Sequence, residues 1–200
     1  MKIKIKKKDK IKEFKLISSW SDVNLDTWIK LIDFQTGSKT EEAENTIATL
    51  SDMPKNLIKE LELSDVAVIL STIAKLQEGQ DSSLKKIIEI EGKRYGFHPD
   101  LDSITLGEFA DIETFIKGDV EKHLPELMAV LYRPVLEESK GGVYTIEAYD
   151  GNISIRAEQM KKMSAGQVQS ALVFFYHFVS VLLMTSESFL IKRQKEMKQQ

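Results

Sequence analysis

The chain reads as an α+β protein, mostly α-helical, with a helical N-terminal part, two β-hairpins and a long C-terminal helix. Three observations predict this. Between residues 24 and 78, apolar side chains recur at helical spacing behind capping residues. Around Glu91-Gly92 and Asp150-Gly151, β-branched and aromatic residues flank glycine-containing dipeptides, the pattern of tight hairpins. From Ser164 onward, a capping box with Gln167 opens one apolar-rich stretch that ends in the charged IKRQKEMKQQ, predicting a helix to about Lys195. The organisation that follows is a basic strand or arm over 1–20, a helical subdomain over 21–78 and a hairpin-helix domain over 84–200, with GQDSS (79–83) as the linker.

The first 15 residues hold eight Lys, and Ile3 and Ile5 alternate with Lys2, Lys4 and Lys6. Period-2 alternation predicts a strand with one solvated face, in which lysines guard an edge against aggregation. Without an aromatic before Phe14, base stacking has little support, and nucleic acid is not an expected partner.

Asn24 caps a predicted helix whose Leu25, Trp28, Ile29 and Ile32 share a face, ending near Gly37. Thr40 is expected to cap the next helix, with Glu41 and Glu42 in its first turn. Pro54 restarts a short helix, and Ser64-Asp65 opens one with a stripe of Val66, Ile69, Leu70, Ile73 and Leu76. After the first hairpin, Thr105 and Glu108 form a capping box, Ile104 and Phe109 are spaced as a hydrophobic staple, and Leu106, Phe109, Ile112, Phe115 and Ile116 are expected to face the core. Pro125 suits a first helical turn, and Arg133-Pro134 ends that helix. Gly141-Gly142 reads as a joint before the second hairpin, Val143 to Arg156, and 157–163 as a short helix.

Composition excludes several functions. With no Cys there are no disulfides and no thiolate chemistry, and a net charge of −3 gives the whole molecule no bulk attraction to polyanions. No secretory signal is read at the Lys-rich start. The longest apolar run, Ala171 to Met184, has 14 residues, short of the roughly 20 that span a bilayer. A soluble chain without a membrane partner is expected.

His98, His123 and His177 have neither metal-ligand spacing nor an HExxH pattern, and phosphate-binding and nucleophile-elbow motifs are missing. No catalytic, cofactor-binding or metal-ligating residue is therefore expected. A pocket holding two or more of His98, Asp100, Asp102 and Glu108 within hydrogen-bond reach would strengthen the case for an enzyme instead. Tyr132 with Arg133, and Tyr149 with Arg156, have the residue types of interface hot spots, or pair locally with nearby acids. A C-terminal helix apolar nearly all round has more surface than two short hairpins cover, which points to a homo-oligomer or a docking strip.

The order GKRYGFHPDLDSITLGEFADIETFI (92–116), HLPELMAVLYRPV (123–135), VYTIEAYDG (143–151) and the Phe-Phe helix (172–178) resembles small virion-morphogenesis proteins of tailed bacteriophages, similar to tail assembly chaperones. The likeness covers roughly residues 84–183 and rests on packing motifs. It implies a non-catalytic protein acting in the host cell cytoplasm, which covers an unassembled tail component such as the tape measure protein. The contact residues expected on this chain are Tyr132, Arg133, Phe175 and Phe178. The alternative is a structural virion component (a connector, tail-completion or packaged protein), which would stay in the purified particle.

Overall fold

The computed structural model describes residues 1–7, 10–78, 83–176 and 180. They form a mixed α/β, mostly helical chain with two antiparallel sheets among the described residues. β1 (Lys2–Lys7) and β2 (Lys10–Lys15) pair into a two-stranded ribbon, so the expected basic strand is half of a hairpin.

α1 (Leu25–Phe34) starts where Asn24 accepts the Thr27 N–H at 2.8 Å. α2 (Lys39–Leu50) is capped by Ser38 with Glu41, not by Thr40. The Ser38–Glu41 pair satisfies two end-of-helix donors reciprocally, which Thr40 cannot do from inside the first turn. Pro54 precedes α3 (Lys55–Ile58), and α4 (Leu63–Glu78) buries Ile69 and Ile73. With Ile5, Leu16, Trp20, Ile47 and Leu50 these make one hydrophobic cluster.

The second cluster surrounds a four-stranded sheet in the order β3-β4-β5-β6. β3 (Ile87–Ile90) and β4 (Lys93–Phe97) are the expected first hairpin, with Glu91 and Gly92 at φ 51° and 78° in its turn. α5 (Leu106–Lys117) starts at the Thr105–Glu108 capping box. α6 (Leu124–Leu131) passes directly into β5 (Tyr132–Glu138), where Pro134 pairs opposite Tyr95. Two features of α5 differ from expectation: Leu106 and Phe109 are exposed, and Glu108 takes the buried position between them.

The second hairpin also differs. β6 (Tyr144–Ile146) turns back on β5 through Gly141-Gly142, and 152–156 is not its partner. Asp150 instead accepts the Asn152 N–H at 2.9 Å, Gly151 takes φ 71°, and α7 (Ile153–Met160) begins. Its buried Ile153, Arg156, Ala157 and Met160 fall at i, i+3, i+4 and i+7, a helical stripe that overrides the Asp-Gly hairpin signal.

Ser164 and Gln167 do form the expected capping box. The helix behind it, α8, is described over 165–176; the expected run to Lys195 lies outside the described residues. The two clusters are sewn together here, since Leu25 and Asp26 donate to the Met163 and Lys161 carbonyls and Ala165 donates to Val23.

Candidate functional site

The sheet, the loop 98–102 and α8 enclose an open cleft of about 590 Å³. Its apolar wall includes Leu84, Phe97, Leu101, Val143, Tyr144 and Phe174, and its polar side is Lys86 and His98 with Asp100 and Asp102. Gly96 makes this shape possible. A Cβ there would lie 2.6 Å from the Tyr144 ring and 2.7 Å from Ile146 Cγ2, so only glycine lets these two β6 side chains lie over β4 this closely. Tyr144 then donates its hydroxyl to the Phe97 carbonyl at 2.7 Å, and the Phe97 ring meets Phe174 edge-on with centroids 5.6 Å apart. Tyr132 donates to the Lys85 carbonyl at 2.7 Å and so pins the segment before β3 that carries Leu84.

Behind the cleft lies a buried charge cluster. Glu108 Oε2 accepts from the Thr105 amide and hydroxyl at 2.8 and 2.7 Å. Glu108 Oε1 faces Arg133 Nη2 at 2.7 Å and His98 Nε2 at 3.5 Å. The Arg133 guanidinium also sits over the Tyr149 ring, 5.8 Å from its centroid, and the Tyr149 hydroxyl donates to Asp111.

Burial pushes the Glu108 carboxyl up, but the Thr105 hydrogen bonds and the nearby Arg133 and His98 together outweigh it, so its pKa lies below the ordinary carboxylate value. Burial holds the His98 imidazole below its ordinary value, against the pull of Glu108 and with Arg133 adding to the depression. His98 Nδ1 accepts the Asp100 N–H at 3.3 Å, which leaves the proton on Nε2, the nitrogen facing Glu108. Both ring nitrogens therefore point at protein partners. The cluster is suited to locking α5, β5 and the 98–100 loop together.

Of the acids singled out in the sequence, Asp100 and Asp102 line the cleft beside His98, whereas Glu108 is committed behind it. The other candidate pair splits: Tyr149 joins the Arg133 cluster, and Arg156 donates to the Ala129 carbonyl and Asp150 at 3.2 and 3.3 Å, fastening α7 to α6. Arg156 thus pairs with a nearby acid, as the plainer of the two sequence readings has it, whereas the acid that Arg133 meets, Glu108, comes from another element.

The expected contact surface needs correction. Tyr132, Arg133 and Phe175 have relative exposures of 0%, 4% and 1%, so they hold the interior together and cannot meet a partner on the surface. Phe178 lies outside the described residues. The outward face of α8 belongs to the neighbouring positions Val173, Phe174 and Tyr176, the last two 44% and 42% exposed. Period 3.6 separates Phe175 from Phe174 by about a third of a turn, but in a run apolar on every side nothing in the sequence marks which residue is the inner one.

Among the described residues, no group of His, Asp and Glu could hold a metal ion, and no helix is long and apolar enough to cross a membrane. Comparisons with family models, curated proteins and solved structures return no match.

Proposed function

We propose that this chain is a non-catalytic assembly protein that holds an apolar segment of a partner in the cleft between β6 and α8. The observation carrying this reading is the open wall of that cleft. Val143 is 71% exposed and Phe174 44%, and both line the same concavity as Leu84 and Leu101. An apolar concavity of several hundred Å³ with a few fixed polar groups is the usual form of a docking site. A partner segment presenting aliphatic side chains would cover this wall, and a single polar group on it could meet Asp100 or Asp102. His98, with both nitrogens engaged, supports a positioning role over acid–base chemistry.

The resemblance in residues 84–183 supplies the partner class: an unassembled phage tail component, first the tape measure protein. The structural virion component remains the competing reading, distinguished by retention in purified particles.

The test is co-expression of the chain with a tailed-phage tape measure protein, followed by pull-down. Wild type should capture it, and Val143→Glu with Phe174→Glu should abolish capture while leaving the melting temperature within a few degrees. No capture by the wild type, or equal capture by the folded variant, would reject the reading.

A further inference from the structure

The β1–β2 ribbon has no part in the cleft, and its charge is out of proportion to the rest of the chain. Eight Lys against Asp9 and Glu13 put it at +6, leaving the other 185 residues at −9 for a total of −3. Its six rungs run from Lys2↔Lys15 to Lys7↔Lys10. Among the described residues, its backbone ties to the body are all at the open end. There Leu16 pairs with Met1, Asp52 donates to the Lys15 carbonyl and accepts the Lys15 N–H, and Ile17 donates to Leu50. Ile5 packs into the N-terminal cluster, with Ile3 and Phe14 against it. Lys2 and Lys4 share one acid, Glu13, and both remain 67% exposed.

We propose that this ribbon is a sequence-indifferent contact for duplex DNA, lying along a groove with its lysines against the phosphates. A duplex groove requires no base stacking, so the lack of an aromatic before Phe14 is no obstacle. Six-residue strands span ~20 Å and paired strands lie ~4.8 Å apart, and a groove ~12 Å wide admits a two-stranded ribbon. Strand alternation turns Ile3, Ile5 and Phe14 onto the N-terminal cluster and puts Lys2, Lys4, Glu13 and Lys15 on the opposite, outer face. These outer residues include no apolar side chain to enter a lipid layer, which favours a phosphate-lined groove over a membrane surface. All the cations are Lys, point charges suited to phosphate, without the Arg forks that read guanine. The acidic remainder of the molecule is repelled by the same polyanion, which confines contact to the arm.

The experiment is fluorescence anisotropy of the full chain with two unrelated labelled 20-base-pair duplexes. At 50 mM salt both should bind within about threefold of each other. Binding should weaken several hundredfold by 200 mM if about five phosphates are contacted. Lys6→Glu, Lys8→Glu and Lys10→Glu together should weaken binding at least 100-fold at 50 mM with an unchanged melting temperature. Absence of binding at 50 mM, insensitivity to salt, equal binding by the triple variant, or a preference for phosphatidylserine vesicles or polyglutamate would each overturn the proposal. Phe174→Glu should bind duplex as the wild type does, so this result stands or falls separately from partner capture.

Discussion

Glu108 serves two structural purposes with one carboxylate: one oxygen caps α5, and the other faces the buried Arg133. The capping was legible from the Thr-x-x-Glu spacing; the burial was not, because an acid on an amphipathic helix is normally assigned to the wet face. Its partner lies 25 residues away in a different element, a distance that sequence periodicity does not encode. Arg133→Met should cost about 3–5 kcal/mol in chemical denaturation, because it leaves a buried carboxylate without its cation. Adding Glu108→Gln should restore part of that loss, since the amide can still cap and carries no charge; a double variant less stable than Arg133→Met would contradict the pairing.

Acid should act on the same cluster. The folded value of His98 lies below 6.5 and that of Glu108 below 4.5, so in both cases the unfolded chain takes up the proton more readily. The His98 contribution is therefore complete above about pH 6.5 and lost below it, and that of Glu108 is complete above 4.5 and lost as pH falls through its folded value. The denaturation midpoint should drop between pH 7.5 and 5.5, and His98→Gln should flatten that drop. An equal drop in the variant would place the sensitivity elsewhere.

At the scale of elements, the Glu91-Gly92 turn and most caps were legible, Thr40 excepted, while strand partners and inward faces were harder to read. Asn24, Thr105 and Ser164 start their helices as the sequence indicates because a cap is a contact across three residues. The Asp150-Gly151 turn was misread because a positive φ at glycine serves the start of a helix as well as a hairpin. β6 found its partner in β5 through a contact that depends on Gly96, whose role is visible only when Tyr144 lies across it. Gly96→Ala should therefore cost about 1–3 kcal/mol by overpacking and reshape the cleft, seen as a loss of partner capture larger than the stability change explains. On α8, Phe175→Glu should prevent folding, by placing a charge where the ring is 1% exposed. Phe174→Glu should leave the circular dichroism spectrum unchanged. If the two variants behaved alike, the inward face of α8 would be wrongly placed.

Across the whole molecule, the two proposed surfaces differ in what holds their ligands, and salt should separate them. The ribbon at +6 sits on a remainder at −9, so its affinity for a polyanion derives from counterion release and declines steeply as salt is added. The cleft wall of Leu84, Val143 and Phe174 works by removing apolar area from water, which added salt does not screen. The arm was visible in the sequence as a run of lysines. Its form as a paired ribbon was not, because Lys10 to Lys15 lacks the regular alternation that marks Lys2 to Lys6. Chains immobilised and loaded with both duplex and partner segment should release the duplex between 50 and 500 mM sodium chloride and retain the partner. Co-release of both at one salt concentration would mean that a single surface serves both ligands, and the separation of arm from cleft would fail.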